Sequence, residues 1–119
     1  TVNAKTITVS FWAYSSLTGT FGGSLTNYAF TRSYTFSYSM PSANTWTYIT
    51  VTIPGDTTGT WVTNSGAGIY LIFGLQVGSV YSSAAGSWNS YSSQYGATGC
   101  VIETLVLITQ LFASVTVTL

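Results

Sequence analysis

The chain has 119 residues, of which only Lys5, Arg32, Asp56 and Glu103 carry a formal charge, so its net charge of zero reflects an absence of charge rather than a balance. Hydrophobic residues make up 46% of it, with nine Tyr, six Phe and four Trp, and histidine is absent. These counts exclude a phosphate backbone as partner, for want of cations, and every histidine-activated nucleophile; what they favour is a β-rich module acting by surface, packing and stacking. The length fits one domain, residues 1–119, within a larger protein or assembly. A surface of Thr, Ser, Asn and Gly gives little repulsion between copies, so self-association is expected.

Alternation with a period of two dominates the chain. Ile7, Val9, Phe11 and Ala13 alternate with Thr8, Ser10, Trp12 and Tyr14, which predicts a strand with an aliphatic inner face and a second face bearing two large rings. Leu17 to Gly23 reads as a turn and Ser24 to Phe30 as a short strand. Arg32 to Ser39 is a strand with Tyr34, Phe36 and Tyr38 on one side, as core or as a binding stripe. After a turn at Pro41, Thr45 to Ile53 places Ile49, Val51 and Ile53 opposite Tyr48, Thr50 and Thr52, and Pro54 and Gly55 end it. Ile69 to Val77 has the cleanest alternation and is expected at the centre of a sheet.

Gly78 to Gly99 is rich in Ser, Gly, Ala and Tyr, and so long a segment is expected to be pinned by its own side chains or to carry function. A short helical turn fits only within Ser79 to Trp88. Val101 to Thr109 and Phe112 to Leu119 complete about seven strands, the pattern of an all-β, two-sheet antiparallel β-sandwich of jelly-roll type. The apolar run from Val101 to Phe112 is too short and interrupted to span a bilayer. The sequence begins at Thr1 without a basic-then-apolar leader and reads as a piece of something longer.

Catalytic chemistry finds few residues. A glycosidase needs two carboxylates flanking one bond, but Asp56 lies in a Pro-Gly-Asp turn, where capping backbone N–H groups is its ordinary role, and Glu103 lies in an expected strand. Cys100 is the single cysteine, so it forms no internal disulfide and is expected to be buried. Asp56 with Thr57 and nearby carbonyls is the one grouping suited to calcium, and turn stabilisation is the stronger expectation there. The reading is therefore no enzyme, no metal and no cofactor. Stacking and hydrogen bonding remain: Trp12 and Trp46 are expected in the core or at its edge, while Trp61, Trp88, Tyr81, Tyr91 and Tyr95 are the candidate contacts for a glycan or a partner subunit.

Three stretches carry a resemblance. They are Thr8-Val-Ser-Phe-Trp-Ala-Tyr through Phe21, then Ala43-Asn-Thr-Trp46 with Pro54-Gly-Asp-Thr-Thr-Gly-Thr-Trp61, and Tyr81-Ser-Ser-Ala-Ala-Gly-Ser-Trp88. Together they resemble a β-sandwich domain of tail-fibre and other virion structural proteins of tailed bacteriophages, marine ones especially. The opening strand and the Asn-Thr-Trp strand start are also similar to jelly-roll carbohydrate-binding modules. The resemblance covers Lys5 to Gly99; the ending, Thr109 to Leu119, departs from it. It implies a structural module located on the virion, or facing the outside of a cell, that packs against copies of itself or other virion subunits and contacts a host glycan. It carries over no catalytic residue.

Overall fold

The computed structural model describes residues 4–75, 77, 79–90, 96–98 and 110–118. Among the described residues nine strands follow in order: β1 (Ile7–Ser15), β2 (Gly19–Asn27), β3 (Ser33–Met40), β4 (Thr47–Ile53), β5 (Ile69–Gly74), β6 (Ser82–Ser83), β7 (Trp88–Asn89), β8 (Gly96–Ala97) and β9 (Gln110–Thr118). A 3-10 turn, Ser79–Tyr81, precedes β6. The two larger sheets, β4-β1-β9 and β5-β2-β3-β7, are antiparallel, and β6 and β8 form a small parallel pair. This is a compact all-β, sandwich-like arrangement of several sheets.

Alternation built the core as the sequence implies. Ile7, Val9, Phe11 and Ala13 are buried, and register pairs them with Ile53, Val51, Ile49 and Thr47 of β4. Facing them are Phe21 and Leu25 of β2 and the β3 rings Tyr34, Phe36 and Tyr38, so those rings are core. Phe11 sits at the centre: Tyr38, Phe73 and Phe112 meet it edge-on with centroids 5.3, 4.9 and 5.9 Å away. Such pairs add about 0.5–1.5 kcal/mol each beyond their buried area. One ring thereby ties β1 to β3, β5 and β9.

Three local expectations change. From Gly19 onward, the glycine-rich stretch expected to turn is the first half of β2, with β3 on one side and, from Gly22, β5 on the other. Close packing explains it: a Cβ on Gly23 would run into the Ile72 carbonyl and lie 2.6 Å from Phe36 Cζ, so the missing side chain lets that ring lie across the strand. Conversely, Tyr28 to Phe30, expected in a strand, is the β2–β3 turn, with Phe30 at a left-handed φ of 55°. Ile69 to Gly74 pairs with β2 and, among the described residues, lies at the edge of its sheet in place of the central position expected.

Small residues cover the other face of β2 and β3, where Ser24 pairs with Thr35 and Thr26 with Ser33, all buried. What buries them is the long Ser/Gly/Tyr segment. Thr35 Oγ1 donates to the Ala84 carbonyl at 2.9 Å, the Gly86 N–H donates to the Thr35 carbonyl at 2.9 Å, and β6 with β8 lies against β2 and β3. The described part of this segment is therefore pinned as a third layer. The expected strand Val101 to Thr109, with Glu103, and Cys100 lie outside the described residues.

Candidate functional site

Asn27 organises one end of the sandwich. Fully buried, it accepts the Thr31 and Arg32 N–H groups on Oδ1 at 2.9 and 3.0 Å, and its amide donates to Thr31 Oγ1 at 2.8 Å and to the Thr60 carbonyl at 3.0 Å. One side chain thus holds the β2–β3 turn and joins it to the loop before β5. That places Arg32 over Asp56: Nε donates to Oδ2 at 3.0 Å and Nη2 to Oδ1 at 2.7 Å, a two-pronged ion pair with little solvent around it.

Asp56 has further donors. Trp61 Nε1 reaches Oδ2 at 3.0 Å, and the Thr58 N–H and hydroxyl reach Oδ1 at 3.3 and 3.2 Å, the N–H bond being the turn-capping role read from the sequence. Burial by itself pushes this carboxyl up. The hydrogen bonds from Arg32, Trp61 and the Thr58 N–H, with the Arg32 charge, outweigh it and hold Asp56 below the ordinary aspartate value. Arg32 is raised, chiefly by its hydrogen bonds to Asp56. A cation bound at Asp56 would have to displace this whole set of donors.

Two of the five predicted contact residues meet here. Trp61 and Trp88 are half-buried, with ring centroids 5.4 Å apart and planes at 85°. Trp88 Nε1 donates to the Pro54 carbonyl at 2.7 Å, and its ring stands edge-on to Tyr34 at 5.5 Å. Both indole N–H groups are thus used internally. The two rings, with Ile7, Ile69, Lys5 and Gly55, line an open cavity of about 370 Å³ whose walls are mainly apolar. Tyr81 does not line it and is half exposed on the 3-10 turn, while Tyr91 and Tyr95 lie outside the described residues.

Rings open to solvent also lie elsewhere. Trp12 and Trp46, expected in the core or at its edge, are 43% and 45% exposed, and Tyr48 is 54% exposed. The inner face of β1 is already filled by Val9, Phe11 and Ala13, so the alternate residues point outward, and the register brings Tyr48 beside Trp12. Their centroids are 5.3 Å apart with planes tilted by 47°; one step on, Tyr14 and Trp46 repeat the arrangement at 5.6 Å and 52°. The Tyr14 hydroxyl donates to Asn44 Oδ1 at 3.1 Å. A register shift where Ser114 takes a φ of 52° places Ala113 and Leu111 of β9 beside Trp12 and Tyr14. The sequence signal for this face was present in the period-two placement of Trp12, Tyr14 and Tyr48 opposite the aliphatic residues.

Comparison with protein-family models, with curated proteins and with solved structures finds no match to this chain. The site therefore rests on its own geometry.

Proposed function

We propose that this chain is a non-enzymatic structural module of a tailed-phage virion, part of a tail fibre or associated with the capsid, that works by packing against copies of itself or other virion subunits and contributes to attachment at a host surface. One observation carries the reading. Val115 and Val117 on β9, Ile69 and Leu75 in and just after β5, and Val80 in the 3-10 turn are each exposed by between 40% and 76%, in a chain with almost no charge to keep copies apart. Exposed apolar surface of this kind marks contact sites, and charged residues are depleted at the centres of such contacts.

The motif resemblance supports the virion assignment, and the crossings between sheets after β1, β3 and β4 support the jelly-roll form of the sandwich. The non-enzymatic reading is supported by the absence of histidine and by an Asp56 already committed to Arg32. A carbohydrate-binding module is the second reading, favoured by the rings that stay open to solvent. The test is the solution mass of the wild-type chain beside Val115→Lys and Val117→Lys. The packing reading expects an assembly that the lysines weaken; a wild-type monomer at tens of micromolar would defeat it.

A further inference from the structure

We infer that the outer face of the β4-β1-β9 sheet, built around Trp12, Tyr14, Trp46 and Tyr48, is a binding site for single chains of a neutral polysaccharide made of pyranoses with equatorial hydroxyls. The inference deepens the host-attachment part of the proposed function and assigns it to rings other than Trp61 and Trp88.

Position comes first. These rings do nothing for the core, which lies on the other side of β1 and β4, and three of them keep between 43% and 54% of their surface in water. Cross-strand aromatic pairing contributes about 0.2–1 kcal/mol per pair, a modest return for exposing two indoles. Pyranoses with equatorial hydroxyls present flat patches of C–H bonds on both ring faces, and these patches lie against an aromatic face without needing a charge. Tryptophan offers the largest such face.

Charge and polarity select the ligand class. β1, β4 and β9 contain no Lys, Arg, His, Asp or Glu, so this face offers no counter-charge to a polyanion or a polycation and matches a neutral ligand. Beside the rings, Ser10 and Thr50 continue the same outward-facing rows, and register places them opposite each other. They supply hydroxyl donors and acceptors for sugar hydroxyls. Asn44, already holding the Tyr14 hydroxyl, adds an amide at the opposite end.

Geometry selects the form of the ligand. The two pairs are separated by two residues along the strands, roughly 6.8 Å, and within each pair the planes are tilted by 47° and 52°. A flat crystalline surface cannot lie against all four rings. A solvated chain, free to twist from one sugar to the next, can seat successive units against successive pairs.

The test is calorimetric titration of the full chain with soluble hexasaccharides of β-1,4-glucose, β-1,4-N-acetylglucosamine, β-1,4-xylose and β-1,3-glucose, with crystalline cellulose as the flat comparison. Tryptophan fluorescence and native mass are recorded on the same samples. At least one hexasaccharide is expected to bind, with the Trp12→Ala and Trp46→Ala variants each weakening it by about tenfold or more, as truncation of a central aromatic anchor does. Tyr28→Ala, an exposed ring on the other sheet's turn, is expected to leave binding unchanged. Circular dichroism shows whether each variant is folded. Failure of every hexasaccharide at millimolar concentration, binding indifferent to Trp12 and Trp46, or preference for crystalline cellulose overturns the inference. So does a drop in native mass on replacing these rings, which would make the face a contact between copies. An assembly that binds no sugar defeats this inference alone, whereas a sugar-binding monomer defeats the packing reading alone.

Discussion

Replacing Asp56 by Asn keeps the shape of the side chain and removes the charge that faces Arg32. The guanidinium would remain where Asn27 and the β2–β3 turn hold it, with a side chain only 13% exposed and Ser90 Oγ at 2.8 Å as its remaining named partner. One end of the new amide would also present N–H groups to donors: Arg32 Nε and Trp61 Nε1 both point at Oδ2, and Arg32 Nη2 and the Thr58 N–H at Oδ1. Stranding one member of a buried pair costs about 3–5 kcal/mol. Partial exposure of Arg32 places this case at the lower end, about 3 kcal/mol. A chain of this length has an unfolding entropy of about 0.25 kcal/mol per degree, so Tm is expected to fall by about 12 °C. Thermal unfolding followed by calorimetry and by tryptophan fluorescence measures it. The paired variant Arg32→Met with Asp56→Asn is expected to recover most of the loss, because it removes the stranded charge while the amide oxygen still accepts from the Trp61 or Thr58 N–H. A Tm for Asp56→Asn within 2–3 °C of wild type (under about 0.8 kcal/mol), or a paired variant no better than the single one, would refute the reasoning.

Acid should act through the same carboxylate. Asp56 is depressed in the folded state, so the folded chain binds fewer protons than the unfolded one as pH drops; its stabilisation is complete above the ordinary aspartate value of about 3.9 and is lost as pH falls through the folded value. Stability is expected to fall steeply below about pH 4, and Asp56→Asn should flatten that slope in a pH series of denaturant titrations. Gly23→Ala should destabilise by about 1–3 kcal/mol through overpacking against the Ile72 carbonyl and Phe36, read as a lower denaturant midpoint. Trp12→Ala, by contrast, should lower Tm by no more than about 4 °C, since it removes one exposed cross-strand pair worth up to about 1 kcal/mol.

The strands were legible where one face is aliphatic or aromatic and the other more polar, as in β1, β3 and β4, because a period of two sends the apolar residues to one side. Of β2 only Ser24 to Asn27 was, since Gly19, Gly22 and Gly23 read as turn residues until the partners that need their close approach are known. Centrality was hidden for a related reason: the alternation of Ile69 to Phe73 shows a buried face, yet neighbours on both sides depend on pairings that periodicity does not encode. Position in a Gly/Ser/Thr-rich loop made Trp61 and Trp88 candidate contacts, and Asp56 and the Pro54 carbonyl draw their N–H groups inward. Residues 24 apart in sequence form the Arg32–Asp56 pair, and only the fold brings them together. Trp12 and Trp46 show the reverse. Size and hydrophobicity argued for the core, and the strand alternation, which placed Trp12 opposite Phe11, was the better guide.

Hydroxyl-radical footprinting of the chain across a dilution series, read residue by residue, tests the account most directly. The account predicts that Val115 and Val117 become protected as concentration rises while Trp12 and Trp46 stay reactive throughout. Uniform reactivity at every concentration would contradict the packing role, and protection of Trp12 and Trp46 in place of the β9 aliphatics would contradict the assignment of the two surfaces.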